Sequence, residues 1–135
     1  MRSKTVTVRA IIAILTSGAW VNASEFYRNE VLLKSQWVSH YASMYLSFPA
    51  APVNGILWIL WGFLFAFALF MLSRRFSVTH TAFLAWLTGF LLMWIVAWNL
   101  GVLPVAILAY AVPLSALEAF VGALICATLA PPAAR

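Results

Sequence analysis

Aspartate is absent from this chain, and its carboxylates number three, all glutamates. Charged residues of either sign make up 8% of 135 residues, against about 25% in soluble domains. That scarcity excludes an ordinary soluble fold. No charge falls between Lys34 and Arg74 or between Arg75 and Glu118. Uninterrupted apolar runs of this kind read as membrane helices, and their continuity rather than alternation excludes barrel strands. Cys126 is the sole cysteine, so no internal disulfide or thiol pair can form. There is no Gly-rich phosphate loop, nucleophile elbow or carboxylate pair within one helix, and neither histidine has a second ligand at metal spacing. No catalytic residue, metal site or cofactor is expected, and an enzyme is the weakest class.

What charge there is marks topology. The net charge is +5, but Arg2, Lys4 and Arg9 precede the first apolar run, Arg74 and Arg75 separate two others, and Arg135 ends the chain. This distribution argues against nucleic acid and places these six residues on one side, with Arg28 and Lys34 on the other. The positive-inside rule then puts both termini in the cytoplasm, in a plasma (inner) membrane, with 24–54 outside.

The expected fold is an all-α bundle of four membrane helices in a single domain, 1–135, with an amphipathic outer helix between the first two. The spans are expected at 6–23 (extending further), 53–73, 79–99 and 102–129, and the outer segment at 30–48. Residues 6–23 also fit a cleaved signal peptide, with Val21-Asn22-Ala23 as the cleavage site. The uncleaved helix is favoured, because nothing breaks a helix before Pro49 and Trp20 is bulky for a cleavage region. Asn22, Glu25 and Asn29 fall at helical spacing and would form one polar stripe. In the outer segment Leu33, Trp37, Val38, Tyr41, Met44, Tyr45 and Phe48 gather on one side and serines on the other. Ser77 or Thr79 would cap the third span.

Two levels of polar and aromatic residues follow from this arrangement. Trp20, Trp37, Trp58, Trp61, Trp94 and Trp98 are six of the seven tryptophans and fall at the outer ends, with Asn22, Asn54, Asn99 and, a little deeper, Tyr110. An interfacial belt explains them in general. Belts form at both surfaces, however, so the one-sidedness points to an outward-opening pocket for an apolar or cationic ligand or a lipid.

The second level is mid-membrane and centres on Glu118. It lies about 17 Å from the end of its run at Leu129, where a charge costs a few kcal/mol or more. Thr16, Ser17 and Thr88 should share its depth, and Gly18, Gly62 and Gly89 would let backbones approach. No cation is expected at that depth, so Glu118 is expected to be protonated and buried, donating to Thr88 or Thr16, with a proton- or cation-coupled carboxylate or a contact with a partner subunit as the alternatives. Ser115, Ala119, Gly122 and Cys126 share one face of its helix and suit close contact with another helix.

A lone membrane glutamate in a short hydrophobic chain resembles small multidrug transporters. Those carry it in the first helix, whereas Glu118 is in the last, so no family is assigned. The leading expectation is binding or transport of a small apolar or cationic ligand or a lipid. The candidate residues are Glu118, Thr88, Ser115, Trp58, Trp61, Trp94, Trp98, Asn99 and Tyr110. The rival is a structural or accessory subunit of a larger membrane complex, docking by the small-residue face. Expected partners are the lipid bilayer and either a homo-oligomer or a larger membrane protein.

Overall fold

The computed structural model describes residues 2–131; Arg135 and Pro132 lie outside them. The described residues are mainly helical, without strands, and four helices are long and apolar enough to cross a membrane: Thr5–Leu32, Pro52–Ser73, Val78–Asn99 and Val105–Leu129. Helix α1 (Arg2–Phe26) runs on into a π-helical segment (Tyr27–Leu32), then α2 (Lys34–Ser43) and α3 (Pro52–Ser73). Helix α4 (Val78–Trp86) passes through a second π segment (Leu87–Leu91) into α5 (Leu92–Asn99). A 3₁₀ turn (Val105–Ile107) leads into α6 (Leu108–Leu129).

Helix ends follow local chemistry. Pro52 occupies the first turn of α3, where a missing N–H leaves nothing unpaired. The Ser77 Oγ accepts from the His80 backbone N–H and caps α4. Gly101 adopts φ +73°, the left-handed conformation that ends α5 without a Cβ clash. α6 begins at Leu108, later than 102, because Pro104 forces extended backbone on its predecessor and cannot donate. Pro113 lies inside α6, which continues through it to Leu129.

Helix α1 packs on α3 and α6, α4 on α3 and α6, and α3 reaches α6 across the middle. The α1–α3 crossing is close: the Asn22 Nδ2 donates to the Gly18 carbonyl at 2.9 Å and the Ile59 carbonyl at 3.4 Å. At the end that carries 73–78 and 130, Arg74 Nη1 donates to the Ala130 carbonyl at 2.6 Å. At the other end, here the loop end, His40 Nε2 donates to the Gly101 carbonyl at 3.0 Å and ties α2 to the α5–α6 connection.

The segment between the first two spans differs from its expected form. Helix α1 and its π continuation occupy residues up to Leu32, and Leu33, buried and non-helical, is the pivot into a short α2. Tyr45, expected on the apolar side, is 99% exposed, since α2 has ended and Tyr45 takes φ 59°. Of the residues expected on the apolar side, Leu33, Trp37, Tyr41, Met44 and Phe48 are at least partly covered, and Val38 is exposed.

Candidate functional site

Three ionisable side chains lie together inside the apolar bundle. Glu118, near the middle of α6, is 0% exposed; Arg28 is 3% and Glu25 6% exposed. Arg28 Nη1 donates to Glu118 Oε2 at 2.9 Å, and its Nη2 donates to Glu25 Oε1. Glu25 and Arg28 are three residues apart, which puts both on one face of the first span. The π-helical segment begins at Tyr27 and carries Arg28, whose long side chain reaches inward to α6.

The surroundings hold this cluster in place. Asn29 Nδ2 donates to Glu25 Oε2 at 2.8 Å, and Trp37 Nε1 on α2 donates to Asn29 Oδ1 at 3.1 Å. Trp20 Nε1 donates to the Glu118 carbonyl at 3.1 Å, and Ser17 Oγ, one turn earlier in α1, to the Gly122 carbonyl at 3.2 Å. The Arg28 guanidinium lies 5.2 Å from the centre of the Phe90 ring, within cation–π range. Phe90 belongs to the second π segment, so both π segments of the bundle border the cluster. Glu118 Oε1 is buried without a hydrogen-bond partner, although the Ser24 hydroxyl interacts with the same carboxyl group.

This arrangement corrects the expected surroundings of Glu118. A cation does reach it: Arg28, expected at the outer surface, belongs to a first span that extends to Leu32, and its guanidinium turns inward. Thr88 Oγ1 donates to Leu84 and Ala85 carbonyls of its own helix, at 2.8 and 3.3 Å, not to Glu118. Thr16 is exposed. Ser115 is buried, accepting from Trp86 Nε1 at 2.9 Å and donating to the Val112 carbonyl at 3.0 Å.

The tryptophans divide between an aromatic wall inside the bundle and its surface. Trp61 stacks on Phe65 at 5.1 Å between centres, and Phe65, Phe90 and Trp94 continue the aromatic wall. Trp58 packs edge-on to Trp61 but is 46% exposed. Trp98 and Tyr110 are 66% and 55% exposed, and Asn99 is exposed beside the turn. An open groove of about 550 Å³ runs along Trp61, Thr88, Gly89, Met93 and Ala97. A smaller one of about 200 Å³ includes Trp94 and Trp98. Neither takes in Trp58, Tyr110 or Glu118.

The small-residue face of α6 is used within the bundle. Ser115, Ala119, Gly122 and Cys126 are all buried. A methyl group at Gly122 would come within 2.7 Å of Leu69 and 3.1 Å of the Ser17 hydroxyl.

Glu25 and Arg28 are the functional candidates that sequence reasoning missed as a pair. Their three-residue spacing, in register with Asn29 and continuous with the first span, is the signal that could have joined them. No known protein family matches this chain, and no characterised protein or solved structure compared with it gives a match.

Proposed function

We propose that this chain is a small polytopic membrane protein that binds or transports a small apolar or cationic ligand or a lipid. The Glu25–Arg28–Glu118 cluster is its polar centre. One observation carries the reading: three ionisable side chains are buried together in a bundle whose helices suit a bilayer. Charges at such a position are costly, and membrane proteins place them chiefly along ligand, ion or proton paths. Two features support it further. Trp61 lines the larger groove and packs edge-on to Phe90, and Phe90 also packs against Arg28. Both π segments adjoin the cluster, and such segments recur at functional sites.

In this reading both termini are cytoplasmic in a plasma (inner) membrane, the loop end faces outward, and α2 lies along the outer surface. The N-terminal segment is kept in this reading, which is supported by the bonds from Ser17 and Trp20 to α6. A homo-oligomer would enclose any pathway that four helices cannot.

An accessory-subunit role has one observation in its favour. From Val53 to Leu60 α3 is exposed on nearly every side, Asn54 alone being partly covered. That stretch, rather than the occupied small-residue face of α6, would be the docking surface.

Extraction into native-lipid discs followed by native mass spectrometry separates the two. The ligand reading expects a bound small molecule or lipid that is lost in Trp61→Ala. A stoichiometric protein partner, with no small molecule sensitive to Trp61→Ala, supports the subunit role instead.

A further inference from the structure

We propose that the Glu25–Arg28–Glu118 cluster is a proton-binding site that holds one exchangeable proton, seated on Glu118 Oε1. The proposal deepens the ligand reading above and rests on it for the cluster's role, with the proton as the coupled ion.

Two carboxylates share one guanidinium, so the unprotonated cluster carries one negative charge in excess. No second cation offsets it among the described side chains. Lys34 bonds Glu30 at the surface, and Arg74 bonds Ala130 at the far end. Arg9 and Arg75 are exposed. His40 bonds Gly101 above α2, and His80 bonds Ser77 at the far end. The groups that face Glu118 are Ser24, Arg28 and the Trp20 indole from α1 and its continuation. The second π segment presents the apolar ring of Phe90 to the guanidinium. An uncompensated charge in such a setting is strongly disfavoured, so something positive must join the cluster.

Geometry selects a proton over a larger cation. Arg28 already stands between the carboxylates and would repel a metal ion. A hard cation needs several oxygen ligands, whereas one oxygen is unoccupied here. Neither groove reaches Glu118, which is fully buried. A proton needs only one lone pair.

The same inventory chooses the seat. Both oxygens of Glu25 already accept, Oε1 from Arg28 and Oε2 from Asn29. Glu118 Oε2 accepts from Arg28, while Oε1 has no hydrogen-bond partner and the Ser24 hydroxyl is the one other polar group that interacts with the carboxyl. The unpartnered, fully buried oxygen is therefore where an O–H bond forms. The proton is transferred from a hydronium ion, whose O–H bond breaks to leave water, and it returns to water when the acid ionises. Protonated Glu118 still accepts from Arg28 through Oε2, and the cluster becomes neutral.

The chain suits a direct test, because it has three glutamates and no aspartate. Carbon-13 labelling of glutamate in the full chain, in lipid discs, gives three side-chain carboxyl signals, assigned by their loss in E118Q, E25Q and E30Q. At neutral pH the wild type should show Glu118 at the protonated-acid position and Glu25 and Glu30 as carboxylates. E25Q removes the excess charge, so Glu118 should move to the carboxylate position. A wild-type spectrum with Glu118 as carboxylate, or with Glu25 as the acid, overturns the proposal. So does Glu118 remaining an acid in E25Q, because burial alone would then hold the proton. If E25Q does not fold, the wild-type spectrum still decides the seat. Retention of a bound ligand is read separately by mass spectrometry, so either idea can fail without the other.

Discussion

Arg28 Nη1 stands 2.9 Å from Glu118 Oε2, and this bond joins residues ninety positions apart in the chain. It fastens the loop end of the first span to the middle of the last. Because the same guanidinium serves Glu25, removing different members should have unequal effects. Arg28→Met leaves the buried Glu25 carboxylate without a cation and Glu118 without its donor, and should destabilise by about 3–5 kcal/mol. Glu118→Leu leaves a balanced Glu25–Arg28 pair and should cost about 1 kcal/mol. Cys126 is the only cysteine and is 0% exposed, so the rate of thiol labelling reports unfolding. Equal costs for the two variants would contradict the shared-cation arrangement.

Glu118→Gln should be nearly neutral for assembly. The amide oxygen can still accept from Arg28, and the charge of the cluster becomes balanced by Glu25. If proton binding is coupled to transport, this variant should fold and bind but lose the coupling. The check is thiol labelling beside ligand retention in the same preparation. Unfolding of the Gln variant would count against a protonated Glu118.

The α1–α3 crossing should tolerate no added methyl group. A Cβ at Gly18 would lie 2.3 Å from the Phe63 ring, and one at Gly62 would lie 2.6 Å from the Asn22 amide. Gly18→Ala should destabilise by about 1–3 kcal/mol, because a packed ring cannot move aside cheaply. Gly55→Ala is the control, since nothing lies within 4 Å of its added carbon. Thiol-labelling rates of the two variants should differ accordingly.

Thr81 offers the opposite case. Its side chain is fully buried and its hydroxyl has no hydrogen-bond partner. Thr81→Val keeps the shape and removes the unsatisfied group, so it should be neutral or stabilising by about 1 kcal/mol. A marked loss of stability in the same assay would mean that the hydroxyl has a partner.

The four long helices are legible in the sequence because charge gaps and apolar runs need no tertiary information. Glu118 is legible for the same reason, as the one carboxylate inside such a run. Its partner is not. Arg28 reads as a surface charge when the first span ends at Ala23, and polar Ser24, Glu25, Arg28 and Asn29 lower the apparent hydrophobicity there. Glu25 and Arg28 are nevertheless buried within that span. The tryptophans mislead in another way: depth along a helix is readable from sequence, but the side it faces depends on packing. Trp94 is buried while Trp98, one turn on, is 66% exposed. The π segments shift that facing further, and no residue in either segment announces them.

The most direct test is a double-mutant cycle between Arg28 and Glu118, measured by Cys126 labelling in lipid discs. Arg28→Met, Glu118→Leu and the double variant are compared with the wild type. The double variant should be less destabilised than the sum of the singles, by more than about 1 kcal/mol. The reason is that the bond between Arg28 and Glu118 is lost in each single variant but only once in the double. Additive effects would show that Arg28 and Glu118 do not meet, and would contradict the cluster itself.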